Sequence, residues 1–590
     1  MTIDVVFGLA RKFDDGRQTS VAINKRGDVV EVHKSQGADT LWYHTGKTRK
    51  MDVGWGGSCR YDDGQTPAVA LNDNGLVIEA HQSQGGATLW SHVGGISGNS
   101  IGFGGSHKYD DGVTPSLALD NSNWCVEVHQ SQGNAGLWYH VGLVDPNGKT
   151  INWGASRKYD NGTTPRVCMN NYGVIVEVHK SEAYSTLWYR VGVINKGNKT
   201  IDWGASHQYD NGVQPAIAMT DAGFVIELHM TEFGDTLWRH VGIVDVNSRA
   251  INFGGSSQFD EGQNLSVACA SDASMAIQTH QAPMLDGDGL VFSTSLIHDR
   301  MRWMEEMYGI LQSKQLWEMT LPGSHDSGAF DMNTTRTPCH DAPDSIPAAI
   351  VRTYATAHNM SIAGQLQNGC RYFDLRPYCD NGTFFAYHDV EGGNFDTMMS
   401  DLAFFLQNTS RELVILKISH FCVFNDTQHQ QLIALIKGKL GNSLFIDKVT
   451  SLLTTKFGQY VGNGSRALVL YDDDYINTHP VAGFQRYSDS LLYDSYSETI
   501  DYAKMMPDQL QKMKDHSGTS GKLFLLSWTL TYDFWGSLNK KPSLQAIASE
   551  ANRNLGNFLA DNAGSYKINI LYVDFLADAR VTDCAITLNW

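Results

Sequence analysis

The first half of the chain is written in short apolar runs that alternate with polar residues and break at Gly, Asn, Asp and Ser, the pattern of half-buried strands. A unit of roughly 48–51 residues recurs from residue 13 to about 297, and a fixed period of that size marks a repeat architecture. Each unit opens on an aromatic-Asp pair: Phe13-Asp14, Tyr61-Asp62, Tyr109-Asp110, Tyr159-Asp160, Tyr209-Asp210 and Phe259-Asp260. Within one unit the segments PAVALN, LVIEAHQS, TLWSHVG and SIGFGGS predict four short antiparallel strands, one propeller blade. The pattern predicts a six-bladed β-propeller over 1–297. Phe7-Gly8 matches the last-strand pieces Trp153-Gly154, Trp203-Gly204 and Phe253-Gly254, which the final unit lacks. Residues 3–12 are therefore expected to supply the outer strand of the sixth blade and close the ring, leaving no bare sheet edge.

From residue 298 the pattern changes. The segment from His298 to Lys314 reads as linker plus first helix. Continuous apolar runs then alternate with helical periodicity over a length close to that of a (β/α)8 TIM-like barrel. Strand candidates are 317–323, 371–375, 383–388, 412–418, 466–471, 522–528 and 568–573. Helix candidates are 430–440 and the run after Pro542, with Ser543 as its cap. Polar residues gather where these strands end: His325 and Asp326, Asp374 and Arg376, His388, Lys417, Asp472 to Asp474, and Asp574. Barrel active sites are built at that end. The expected architecture is thus multidomain, an all-β propeller followed by an α/β barrel over 298–590.

Composition narrows the partners. The 590 residues hold 45 basic and 63 acidic side chains, a net charge of −18, which argues against a nucleic-acid backbone as partner. It also argues against simple electrostatic adhesion to an anionic membrane. No signal peptide and no transmembrane run is visible, so a cytoplasmic chain, or export without a cleaved leader, is expected. The nine cysteines include no CxxC pair, and reduced thiols are the default reading, with Cys370–Cys379 or a bridge from Cys339 as the alternative.

Two constellations carry chemistry. Each repeat places an acid and a His two residues apart, hence on one sheet face: Glu31/His33, Glu79/His81, Glu127/His129, Glu177/His179 and Glu227/His229, with Gln278/His280 in the last. They read either as a repeated ligand site, with Trp42, Trp90, Trp138, Trp188 and Trp238 as stacking platforms, or as a hydrogen-bond pair copied with the blade. Repetition replicates packing as readily as binding. The recurring LWYHVG, I-x-WG-x-S and YD-x-G-x-TP pieces resemble the PLL-type lectin propellers. That resemblance implies glycan binding between blades.

In the second half, two His side chains can serve as base and acid for phosphodiester cleavage near neutral pH, and Arg376 offers a fork for two phosphoryl oxygens. The pieces LPGSHDSG (321–328), GCRYFDLR (369–376), FFAYHD (384–389) and RELVILKIS (411–419) resemble the X-type catalytic domain of phosphatidylinositol-specific phospholipase C, in its calcium-independent bacterial form. The resemblance implies His325 as general base toward an inositol hydroxyl, His388 as general acid toward the diacylglycerol oxygen, and Arg376 on the phosphate. It pairs Asp574 with His325 and Asp326 with His388, and lines the site with Asp374 and Lys417. It implies a phospholipid substrate at a membrane interface and no metal or other cofactor. Where that family carries a basic residue for the inositol ring, this chain has the acidic stretch LVLYDDDY (468–475), which leaves a different head group or a glycosylated inositol lipid open beside inositol itself. Asp494, Trp528 and Tyr532 are further candidates for ring contacts. The competing function is a multivalent lectin carrying an inactive barrel. A metal-dependent phosphodiesterase would need carboxylates in place of Arg376.

Overall fold

A computed structural model describes every residue except 1–2, 6, 9, 50–51, 285–286, 519–520, 533–541, 564–565, 577–579 and 590. It contains two compact units, Asp4–His298 and, together with Met1–Ile3, Asp299–Trp590.

The first unit is built of six antiparallel sheets. In one of them Arg17–Ile23, Asp28–Lys34 and Thr40–Arg49 pair in chain order, and both Asp52–Trp55 and Cys59–Asp63 add to the long third strand. The order repeats from Gln65, Val113, Thr163 and Val213. In the sixth sheet the outer strand comes from the N-terminus, as Arg11–Asp15 pairs with Gly287–Ser295. The closing strand therefore lies C-terminal to most of the expected 3–12 segment. The cause is also visible: the aromatic-Asp pair belongs to the outer strand of the preceding sheet and does not open a new one. At that pair the register slips by one residue, between Leu41 and Trp42 in the first sheet, and Tyr61 is left unpaired in the ladder. The freed Tyr61 ring reaches inward to Glu79. The glycine that follows is required by close approach, since a Cβ on Gly64 would stand 2.7 Å from both the Gln82 carbonyl oxygen and the His81 ring.

The innermost strands pack side by side in a cycle, with Arg17–Ile23 lying between Gln65–Leu71 and Gln263–Cys269. Their apolar faces fill the space between neighbouring sheets: Ala118, Val126, Val128 and Val141 pack against Val167, Met169 and Ile175. Polar links tie sheet to sheet as well. The Ser20, Ser116 and Ser266 hydroxyls accept from the backbone N–H of Val69, Val167 and Val21 in the next sheet. At the first turn of four successive repeats, a backbone N–H donates to the side chain of the next repeat: Lys25 to Asp73, Asp73 to Asn121, Asn121 to Asn171 and Asn171 to Asp221.

The Glu/His pairs belong to a buried hydrogen-bond chain. In the second repeat the Tyr61 hydroxyl donates to Glu79 at 2.8 Å, Glu79 holds His81 Nδ1 at 3.1 Å, and Asp62 accepts from His92 Nε2 at 2.7 Å. His92 Nδ1 faces the Gly104 carbonyl at 3.0 Å. With an acceptor on each nitrogen, the His92 ring must be an imidazolium to donate both bonds. In the fourth repeat Arg190 stands in this place and makes the same two bonds, to Asp160 at 2.6 Å and to the Gly204 carbonyl at 2.8 Å. A cation that cannot deprotonate does the same job, so this network reads as a structural anchor. Asp62, His81 and His92 approach closely enough to hold a metal ion. However, Glu79, Asp62 and Gly104 already engage three of the four ring nitrogens within hydrogen-bond distance. Trp42, Trp90 and Trp188 remain half-buried, each donating through Nε1 to the Thr two residues before it.

The second unit carries eight parallel strands in one sheet. Their order is Phe484–Arg486, Arg466–Tyr471, Leu413–Ile418, Tyr372–Leu375, Leu321–Ser324, Ile570–Val573, Leu523–Trp528 and Leu492–Tyr493. All six residues of Leu413–Ile418 are buried, as a parallel strand covered on both faces requires. The edge strands Phe484–Arg486 and Leu492–Tyr493 are too short for periodicity to reveal. The segment 383–388, expected in the barrel, forms instead the centre of a three-stranded antiparallel sheet, Pro377–Asp380, Thr383–His388 and Val390–Asn394. Its burial alternates, unlike the buried barrel strands. Helix Leu544–Asn562 begins at Ser543, whose hydroxyl accepts from the Ala546 N–H, and helix Asp426–Leu440 begins at Asn425. No described helix is long and apolar enough to cross a membrane. One disulfide joins Cys339 to Cys422, while Cys370 and Cys379 are free thiols. The reduced-thiol expectation is corrected there: Cys339 and Cys422 lie 83 residues apart, and sequence spacing alone does not bring such positions together.

The histidine anchors give the first unit a pH signature. Burial opposes the charge on His44, His92 and His140, but bonds to Asp14, Asp62 and Asp110 and to glycine carbonyls outweigh it, so each ring titrates above the usual histidine value. A raised folded value means stability that is fully present below about 6.5 and is lost as pH rises through the folded value. Burial likewise opposes the charge on Asp14 and Asp62, yet the histidine bonds bring both down to about 2, so their contribution is lost only in strong acid. Thermal unfolding followed by near-ultraviolet circular dichroism should show a lower Tm at pH 9 than at pH 6. His92→Arg, copying Arg190, should shrink that difference; an unchanged difference would contradict a charged anchor.

Candidate active site

Every barrel-borne site residue sits at or just past a strand's C-terminal end. Leu321–Ser324 delivers His325 and Asp326, Tyr372–Leu375 carries Asp374 and delivers Arg376, Leu413–Ile418 carries Lys417, and Ile570–Val573 delivers Asp574. His388 arrives differently, at the end of the middle strand of the antiparallel insert that follows Arg376. Several residues at these exits adopt left-handed backbone: Asp326 at φ 42°, Asp389 at 61°, His420 at 53° and Phe575 at 47°. Such conformations are held by their surroundings and gather where side chains must be aimed.

His325 Nδ1 is bonded to Asp574 Oδ1 at 2.8 Å, which leaves Nε2 turned to the site. Arg376 contacts three neighbours: its Nη2 stands 3.1 Å from Asp374 and 3.3 Å from His325 Nε2, and its Nε pairs with Asp326. Asp326 Oδ2 stands 3.6 Å from His325 Nε2 and also 3.6 Å from His388 Nδ1. One carboxylate oxygen therefore faces both imidazoles. His388 Nδ1 makes its hydrogen bond to the Ala355 carbonyl at 2.9 Å. Asp326 thus faces His388 while also pairing with Arg376, and a helix-end carbonyl fixes the His388 ring. The rings of His325 and His388 are 21% and 29% exposed, open to a substrate, while Asp326 and Asp574 are buried beneath them.

Asp374 is fully buried and saturated. It accepts from Tyr572 at 2.7 Å, from Arg376 at 3.1 Å and from Ser419 at 3.3 Å, and Lys417 stands 3.9 Å away. Burial pushes its carboxyl up, but Arg376, Lys417 and His325 hold it well below the usual carboxylate range. Burial pulls the His325 ring down, and Asp574 and Asp326 reverse this, raising it to about 9. Lys417 is pinned by Asp494 at 3.0 Å and lies over the Tyr487 ring. His325, Asp326 and Asp374 are close enough to act as metal ligands. The Arg376 guanidinium contacts all three, so a fixed cation already stands where such an ion would sit.

Trp528 is misplaced in the sequence reading. It is 1% exposed, donates to the Ala551 carbonyl at 2.7 Å and packs on Phe558, so it faces helix Leu544–Asn562 and not the site. The Tyr532 hydroxyl bonds the Pro542 carbonyl. The acidic stretch is partly neutralised: Arg486 pairs with Asp472 at 2.7 Å and with Asp474 at 3.3 Å.

Sequence reasoning missed the supports. Tyr572 lies two residues before Asp574, and strand alternation alone would have put both on one face. Ser327 donates its hydroxyl to no ligand but to the Ser324 carbonyl, and accepts from the Asp374 N–H at 2.9 Å. His358 Nε2 meets the His325 carbonyl at 2.7 Å from 33 residues away, and no local pattern marks it. The loop ahead of the insert is held by Asp389, which accepts from the Asp341 and Ala342 N–H groups, and by the Cys339–Cys422 bridge.

No protein-family profile matches the chain. A PI-PLC X domain-containing protein of Dictyostelium discoideum is 24% identical over 358 residues, which is 50% of this chain and 59% of that protein. PI-PLC X domain-containing protein 3 of Mus musculus is 27% identical over 157 residues, 24% of this chain and 49% of that protein. The chain thus spans about half the length of the curated relatives it matches. The solved phosphatidylinositol-specific phospholipase C from Listeria monocytogenes aligns over 50% of this chain and 99% of that one, with 18% identity and a TM-score of 0.39. The chain therefore contains a region similar in sequence to PI-PLC X domains.

Proposed function

We propose that the second unit is a metal-independent phosphodiesterase of the phospholipase C type, acting on a phosphatidylinositol or related glycophospholipid at a membrane interface. The observation that carries this reading is the convergence of two imidazoles and one guanidinium on Asp326. His325, oriented by Asp574, takes the proton of the attacking inositol hydroxyl. Arg376, held in place by Asp326 and Asp374, stabilises charge on the phosphoryl oxygens. His388 gives a proton to the departing diacylglycerol oxygen. The Nδ1 bond to Ala355 leaves its Nε2 for that transfer. Lys417 and Asp494 would meet the head-group hydroxyls, and Arg486 offers the ring a cation from beside the acidic stretch. The products are diacylglycerol and a cyclic inositol phosphate.

The first unit is read as a closed six-bladed propeller that binds glycans and tethers the enzyme near glycosylated lipids, raising local concentration without altering the chemistry. The cycle of inner strands supports the ring, and the half-exposed Trp residues support sugar stacking. The competing reading, a lectin with a silent barrel, has no use for a guanidinium fixed between two open imidazoles.

Release of cyclic inositol phosphate from phosphatidylinositol vesicles should survive EDTA. His325→Ala and His388→Ala should each lower kcat by about 10²–10⁴-fold, and Arg376→Ala by about 10²–10³-fold. Loss of activity on chelation, or full activity in His325→Ala, would sink the assignment. The pH profile gives a second check. Asp574 raises the His325 ring, and the base must be neutral to act, so Asp574→Asn should move the acid limb of kcat/KM to lower pH while lowering its maximum.

A further inference from the structure

Inside the first unit, the inner strands of all six repeats enclose a cavity of about 230 Å3. Its wall departs from the repeat at one position. Ser20, Ala68, Ser116, Ala216 and Ser266 occupy equivalent places on five inner strands, and the sixth place is held by Arg166. An array copied for packing has no need of a single guanidinium among small residues. Arg166 donates one hydrogen bond, to the Pro165 carbonyl at 2.9 Å, and among the described residues it forms no ion pair. Among the described residues no Asp or Glu lines the cavity, although the chain as a whole carries −18. Arg166 is half-buried on the cavity wall, and a lone cation lining a space shielded from bulk water favours an anion there. Burial accordingly pulls the Arg166 guanidinium down to about 10, with no carboxylate opposing it.

We infer that the axial cavity of the repeat unit is a binding site for a small oxyanion of phosphate or sulfate size, held by the Arg166 guanidinium. The site is independent of the barrel and of any sugar bound at the blade edges. Its function in the fold is to supply the missing negative charge at the centre of the ring.

Calorimetric titration of the full chain with sodium phosphate and with sodium sulfate tests this, in an Arg376→Gln background so that the barrel's phosphate-binding arginine does not contribute. One saturable site per chain is expected, accompanied by a rise in the Tm of the repeat unit. Arg166→Ser, which restores the residue found on three other strands, should weaken binding by at least about 30-fold. Arg166→Lys should retain part of it. Absence of saturable binding by either anion, or equal affinity in Arg166→Ser, would overturn the inference. Should Arg166→Ser unfold, loss of binding in Arg166→Gln with retained circular dichroism would still support the site, and unchanged binding there would count against it.

Discussion

The candidate active site depends on one buried charge balance. Asp374 and Asp326 lie almost out of water, and an isolated carboxylate there would be several kcal/mol unfavourable. Arg376 answers both, with Lys417 and the Tyr572 hydroxyl completing the shell of Asp374. The guanidinium is thereby fixed before any ligand arrives, and preorganised charge of this kind needs no rearrangement during reaction. The same carboxylates hold the rings above them in electrostatic register. Removing Asp374 would leave two cations and a tyrosine hydroxyl without their common acceptor, so its role is to position others.

The repeat unit solves a comparable problem by copying. Glu79, Glu127, Glu177 and Glu227 are each met by a tyrosine hydroxyl and a histidine, and His44, His92, His140 and His240 each bridge an aspartate and a glycine carbonyl. Arg190 exposes the logic because it changes the side chain while keeping the bonds. Arg166 is the opposite case, a change with no bond to replace the charge it brings. Within a periodic array, the two kinds of exception separate a structural substitution from one that asks for a ligand.

Much of this was legible in the chain itself. The repeats, the two-unit division and the alternation of apolar runs with helices follow from hydrophobic period, which is a local property. So do the strand-end positions of His325, Asp374, Arg376 and Asp574. What escaped depended on contacts distant in sequence. The Ala355 carbonyl on His388, the His358 brace and the Cys339–Cys422 bridge join segments that no spacing rule connects. Trp528 failed because an aromatic at a strand end can face either the barrel mouth or the helix layer, and only packing on Phe558 decides. The 383–388 strand failed because an antiparallel insert and a barrel strand share composition and differ in burial.

The strand Arg11–Asp15 completes a sheet whose other members lie at the far end of the same unit. This ladder joins the two ends of the repeat array, while the other five large sheets of the unit are each assembled from contiguous sequence. With six near-equivalent junctions, the origin of the chain is arbitrary. A circular permutant that opened in a loop between two sheets would leave each sheet to fold from its own local segment, and would exchange a ladder between distant strands for side-by-side packing of inner strands.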